Sequence, residues 1–328
     1  MTKTISSNDI ARPVADELEQ FDTYLRAQMR SRAALLDTVV RYILRQRGKR
    51  VRPTLVFLAA GMCGGITHRA YTGAAMVELL HTATLVHDDV VDQAEERRGM
   101  ASINAVWKNK VAVLVGDYLL SRGLLIAVNN DEFDYLKVTS DAVRRMSEGE
   151  LLQLQKRRQK RLDEETYFRI ISDKTASLIS TCCEIGAISA TDDVGVRATL
   201  RQYGELVGLA FQIRDDVLDY TSRSSILGKP VGNDIRDRKI TLPLLYACAV
   251  APKSESNAML SIVKGRGTKS SDVKTVIDFV ERYEGTNKAQ EKAHELERQA
   301  VELLAPFAPS EYRTALVDFA NFVVTRTK

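Results

Sequence analysis

Residues Val77–Asp92 read VELLHTATLVHDDVVD, and residues Phe211–Asp219 read FQIRDDVLD. Each closes on Asp-Asp-x-x-Asp: Asp88, Asp89 and Asp92 in the first, Asp215, Asp216 and Asp219 in the second. Leu79, Leu80, Leu85 and Val86 lead into one triplet; Leu206, Val207, Leu209, Phe211 and Ile213 lead into the other. Apolar residues at three- and four-residue spacing mark a helix, so both triplets end apolar helices, which solvated acidic faces rarely continue. Positions i and i+4 lie about 40° apart around a helix, and i+1 and i+4 about 60°. That spacing predicts three carboxylates on one face of each helix. Three close anions repel, and Asp is a poor helix former. A divalent cation compensates, and Mg2+ takes hard oxygen ligands from carboxylates together with substrate phosphates. No Cys/His cluster accompanies the acids, which disfavours softer metals.

The helical period extends through most of the chain. Helices are predicted from Pro13 to about Gln46, from Val51 to Gly64-Gly65, and from Thr67 to about Asp92. Others are predicted at 109–128, 133–156, 163–190, 194–220, 239–250, 270–283, 287–304 and 309–326. No stretch alternates over strand length, and no long Pro/Gly/Ser linker divides the chain. The expectation is one all-α domain over residues 1–328, a bundle of about ten or more helices around a central cavity, with a disordered tail at 1–8. The stretch Thr221–Arg238 is read as an active-site flap, because long loops in compact domains are usually functional.

With 47 basic and 43 acidic residues, the net charge is +4, which does not by itself argue for nucleic acid. Four cysteines, with no CxxC spacing, read as reduced residues of a cytoplasmic protein. The polar N-terminus lacks a signal peptide's apolar core, and no uninterrupted apolar run approaches ~18 residues. A soluble protein is expected.

A diphosphate needs cations beyond the metal, because Arg and Lys give its oxygens charge-assisted hydrogen bonds. Candidates are the turn Gly48–Pro53 (GKRVRP), Arg97-Arg98-Gly99, Lys174-Thr175, Lys229 and Lys239. Singly, each reads as a solvated surface charge; ordered around two acidic triplets, they read as two anion pockets. The basic run Lys156–Arg161 reads as a solvated helix end, and Ser147–Glu150 (SEGE) receives no chemistry.

Together these segments resemble the trans-polyprenyl diphosphate synthases. Val77–Gly99 is similar to that family's first aspartate-rich region, Phe211–Asp219 to its second, and Leu227–Leu244 to its lysine loop; GKRVRP and SDKTASL follow the family order. The resemblance spans roughly Arg47 to Leu245. It implies an isoprenoid synthase fold, a homodimer and three Mg2+ ions. It implies that metal held by Asp88, Asp92 and Asp215 grips an allylic diphosphate, such as farnesyl or geranylgeranyl diphosphate, helped by Arg97, Lys174, Lys239 and Lys229. Asp89, Asp216 and Asp219 complete the carboxylate shell. Lys49, Arg52, His81 and Arg98 hold isopentenyl diphosphate without metal. Gln212 and Thr175 face the reacting carbons and stabilise developing positive charge.

Product length is expected to depend on residues below the first triplet. Thr84 lies almost one turn from Asp88, and Ala83 precedes it. In short-chain relatives bulky aromatics stand at these positions, whereas both are small here, as in octaprenyl- and solanesyl-type synthases. Long products for quinone side chains are therefore expected, with transient membrane contact for their release. Against this stand a shorter-chain synthase, a terpene cyclase and a non-catalytic subunit of a heteromeric synthase; the reading of the small pair as mere helix packing also stays open.

Overall fold

The computed structural model describes residues 5–46, 48–157, 163–221, 232–265 and 269–327. The described chain is helical almost throughout. The first helices are α1 (Ser7–Ala11), α2 (Ala15–Met29), α3 (Ala34–Arg45), α4 (Val51–Cys63) and α5 (His68–Val91). Two two-residue strands, β1 (Glu96–Arg97) and β2 (Met100–Ala101), precede α6 (Ile103–Asn129), α7 (Phe133–Arg157) and α8 (Glu164–Ile171). A π turn over Ser172–Ala176 joins α8 to α9 (Ser177–Ala190), followed by α10 (Val194–Thr221). The remaining helices are α11 (Asn233–Arg236), α12 (Leu242–Val250), α13 (Lys253–Lys264), α14 (Ser270–Arg282), α15 (Gly285–Leu303) and α16 (Glu311–Thr325).

Where caps are strong, the predicted boundaries hold. Gly64 and Gly65, at φ 152° and 130°, end α4 as a glycine C-terminus should. The predicted start at 109 meets a real break: Lys108 has φ 70° and ψ 162° inside α6. The helix nonetheless begins at Ile103, because the Ser102 hydroxyl accepts from Ala105 N–H and caps it. Helix α13 was not predicted. The expected disordered tail needs correcting in its second half: Ser6 and Asp9 form a capping box that starts α1 at Ser7, and residues 1–4 lie outside the described residues.

The chain forms two compact units. The first comprises Met1–Asp141, Thr181–Arg201 and Phe307–Leu316; the second comprises Ala142–Ser180, Gln202–Pro306 and Val317–Lys328. In the first unit α5 packs mainly on α6 and α4. Glycines make the α5–α6 approach close, since Gly116 lies against the His87 ring and Gly123 against Met76 and Leu79. The second unit has a core of Tyr220, Ile235, Ile240, Leu244, Val276 and Phe279 with their neighbours. The acidic triplets lie in the last turns of α5 and α10.

Candidate active site

The first triplet divides. Asp88 and Asp92 are exposed and lie i, i+4 on one side of α5, whose C-cap is Asp92 itself. Asp89, about 100° round from Asp88, is buried at 3% exposure. Its Oδ1 accepts a 2.9 Å bond from Arg97 Nε and a second bond from Arg97 Nη2. The expectation of three carboxylates on one face is thereby corrected: adjacent residues point a quarter-turn apart, and the buried one required its own counter-ion. Arg97 is supplied by the hairpin, in which Arg97 pairs with Met100 across Arg98 and Gly99 at φ 54° and 76°. Two consecutive positive φ values define a type I′ turn, comfortable for Gly99 and strained for Arg98.

Arg98 donates from Nη1 to Gln46 O at 2.9 Å, and its guanidinium lies flat on Gly48, where a Cβ would come within 2.8 Å of Nη1. The GKRVRP turn and the hairpin therefore meet. Arg50, at φ 53°, opens α4 and ion-pairs with Asp22. A cleft of about 940 Å³ takes in Gly48, Arg50, Glu78, Asp89, Arg97 and Arg98, with apolar walls from α2 and α3. Beside it His81 is buried, and burial followed by the positive charges of Arg52, Arg98 and Arg97 pushes its pKa down to about 2. Burial also lowers the Arg52 pKa, which Glu78 opposes. The structure thus gathers Arg52, His81, Arg97 and Arg98, while Lys49 is exposed on the same turn.

His81 makes a stability prediction with a definite sign. The unfolded imidazole takes a proton near 6.5, whereas the folded one stays neutral until about 2. Its contribution is complete above pH 6.5 and is lost as pH falls below it. Urea unfolding at pH 7 and pH 5 should show the wild type losing about 2 kcal/mol more than His81→Gln. Equal losses would show that His81 is not held neutral.

The second triplet has three separate partners. Asp215 Oδ1 accepts from Arg326 Nη2 at 2.6 Å, and that guanidinium also stacks 4.0 Å over the Phe211 ring. Asp216, buried, accepts from Tyr167 OH at 2.7 Å and Gln212 Nε2 at 2.9 Å. Asp219 accepts the Asn233 and Asp234 backbone N–H groups at 3.1 and 3.0 Å, at the start of α11. Burial raises the Asp216 pKa well above the carboxylate range, Asp234 adds to this, and the two donated bonds oppose it. Thr175 Oγ1 donates to Gln212 Oε1 at 3.0 Å, so Thr175, Gln212 and Asp216 form one chain. Lys174 ion-pairs with Glu150. Lys239 lies 3.1 Å from both Asp234 and Asp237; burial lowers its pKa, but the two carboxylates more than offset this and raise it overall.

Lys174, Thr175, Gln212, Asp216 and Lys239 all line one cleft of about 750 Å³. Tyr167, Asp234 and Lys264 line it too and were not singled out from sequence. Asp234 fell within the flap reading; Tyr167 and Arg326 carried no sequence signal. Lys229 lies outside the described residues. Neither Ala83 nor Thr84 lines either cleft.

Among the described residues no three His, Cys, Asp or Glu side chains converge as a finished metal site. The donors nevertheless suit a hard divalent cation. Both triplets sit in the last turns of α5 and α10, where carbonyl ends carry partial negative charge and carboxylates are unfavourable. Exposed Asp88 and Asp92 offer oxygen donors one turn apart at that negative end.

The polyprenyl synthetase family profile matches residues 33–280 of this chain. The chain belongs to the polyprenyl synthetase family. This polyprenyl synthetase is 38% identical over 320 residues to an all-trans-nonaprenyl-diphosphate synthase (geranyl-diphosphate specific) of Rhodobacter capsulatus, covering 97% of each chain. It superimposes at TM-score 0.90, 33% identity and full coverage of both chains on a Caulobacter crescentus polyprenyl synthase complexed with calcium and isoprenyl diphosphate. A Pyrococcus horikoshii geranylgeranyl pyrophosphate synthetase also matches, at TM-score 0.89 and 31% identity, covering 97% of this chain and 99% of that one. The backbone common to these synthetases does not by itself set product length.

Proposed function

We propose that this polyprenyl synthetase condenses isopentenyl diphosphate with an allylic diphosphate, with Mg2+, to build a long all-trans polyprenyl diphosphate of the kind used for quinone side chains. The observation that carries the proposal is the pair of exposed carboxylates, Asp88 and Asp92, at the negative end of α5. Bound cations relieve that arrangement. Asp88 and Asp92 hold Mg2+ from the first triplet, and Asp215, Asp216 and Asp219 contribute from the second; three ions is the family expectation. When bound, Mg2+ neutralises the leaving diphosphate and so lowers the barrier to C–O ionisation.

The chain's own residues do the rest. Lys174 and Lys239 donate to the allylic diphosphate, and Arg97 is available once Asp89 is satisfied otherwise. Lys49, Arg52, His81 and Arg98 hold isopentenyl diphosphate. The Gln212 amide, fixed by Thr175 and Asp216, turns its dipole toward developing positive charge. The departed diphosphate accepts the final proton, as the resemblance to the family implies.

Purified protein given Mg2+, isopentenyl diphosphate and farnesyl diphosphate should elongate the primer well beyond twenty carbons, and EDTA should stop it. No elongation overturns the enzyme reading; a product ending at geranylgeranyl overturns the long-chain one.

We also propose a homodimer. Helix α6 has a mean hydropathy of 1.8 over its best 18 residues, only 39% of them buried. That composition would also permit a membrane span. However, its exposed apolar residues beyond the break at Lys108, Val113, Leu114, Leu124, Leu125 and Val128, fall on one face. A single apolar face suits a second copy better than lipid on all sides. Leu114 and Leu125 are 59% and 47% exposed, so the double change Leu114→Glu, Leu125→Glu should leave the fold intact and give a monomer by light scattering. A persistent dimer places the interface elsewhere.

A further inference from the structure

Ser172–Ala176 forms a π turn in the middle of an otherwise α-helical run. Such turns are rare and occur mostly as single bulges inside α-helices, frequently at functional sites. This one carries Lys174 and Thr175, and its neighbours clamp it. From α7, the Arg145 guanidinium donates from Nε to Asp173 Oδ1 at 2.9 Å and from Nη2 to Ser172 Oγ at 2.7 Å. Nη2 also reaches Glu205 Oε1 on α10 at 3.0 Å, and Ser172 donates to the same carboxylate. The Arg145 side chain is only 18% exposed. Arg169, on the surface, approaches Asp173 no closer than 3.9 Å.

Two glycines let the flanking helices approach. A Cβ on Gly149 would lie 2.9 Å from Asp173 Cβ and 3.1 Å from Lys174 N; one on Gly208 would lie 2.5 Å from Ala176 Cα. Next to Gly149, Glu150 ion-pairs with Lys174. The SEGE segment, which had no assigned role, therefore lies directly against the turn.

We infer that Arg145, held by Glu205, is a positioning residue that fixes the π turn so that Lys174 and Thr175 face the cleft. The inference rests on the proposed roles of those two residues. Without the guanidinium, Ser172 and Asp173 lose the bonds that favour the wide turn, and the segment can relax toward an α-helix. An α-helical register would rotate Lys174 and Thr175 away from Gln212.

The test is Arg145→Met in the full chain, read by hydrogen exchange and by kinetics. Amide exchange across residues 172–176 should accelerate about tenfold, while peptides from α5 keep wild-type rates. With elongation as the assay, kcat should fall about a hundredfold, the scale of a 1 Å misplacement, while KM for isopentenyl diphosphate stays within about twofold. Arg145→Lys should recover part of kcat, and Arg144→Gln, on the neighbouring surface position, should behave as wild type. If Arg145→Met does not fold, Glu205→Gln is read in the same way and against the same criteria. Native exchange in the turn, or loosened exchange with native kcat, overturns the positioning role. A wild type that does not elongate overturns the proposed function instead, and the exchange data still decide whether Arg145 braces the turn.

Discussion

Asp88→Asn is expected to lower kcat for elongation by about a thousandfold, the upper range for losing one preorganised electrostatic contact in a closed site. Asparagine keeps the size and one carbonyl oxygen but removes the charge. Asp88 and Asp92 are the exposed pair of the first triplet, and Asp89 is already neutralised by Arg97. Removing Asp88 therefore halves the exposed charge that the triplet offers a cation. Mg2+ dehydrates reluctantly, and one fewer carboxylate weakens its retention directly. The same variant should need more Mg2+ for half-maximal rate and should be at least as stable as wild type, because it removes an anion from a helix C-terminus. Rate, Mg2+ titration and thermal unfolding check the three points. A variant with native kcat would place the metal elsewhere. Asp89→Asn should behave differently, losing stability through an uncompensated Arg97.

Ala83→Tyr is expected to shorten the product to about the twenty-carbon class and to lower Tm. Ala83 is fully buried, four residues from both Leu79 and His87, which meet α6 at Gly123 and Gly116. Residues four apart share a helix face, so Ala83 belongs to the stripe facing α6. Its smallness thus serves close helix packing, as the simpler reading of the sequence allowed. A tyrosine ring overfills that seam at about 1–3 kcal/mol. If the growing tail passes half-buried Thr84, on the Asp88 side of α5, the added ring next to it obstructs that path. Sizing the products by chromatography and measuring Tm separate the two effects. A lower Tm with unchanged product length means that Ala83 serves packing alone and the tail takes another route.

The helices and the positions of the two triplets were legible because apolar periodicity and the DDxxD spacing are local. Gly64-Gly65 and the Asp-rich last turns needed no tertiary information. Arg52, His81, Arg97 and Arg98 were named from the resemblance to the family, and the structure gathers them. The direction of each carboxylate was not legible. Asp89 turns to Arg97, Asp215 to Arg326 and Asp216 to Tyr167, with partners 8, 111 and 49 residues away. No periodicity encodes such pairings, because they depend on how helices pack.

Two cases mark the boundary. Gly149 looks like an ordinary helix interruption until α7 lies against the π turn and leaves no room for a Cβ. Tyr167 looks like a core aromatic until its hydroxyl meets the buried Asp216. The sequence by itself determined the helices, the acidic triplets at their ends and the cationic residues that accompany them, since these follow from neighbours within a few turns. Only the tertiary structure decided which acids are buried and which distant side chains they meet, because burial and long-range ion pairing exist only once the chain is packed.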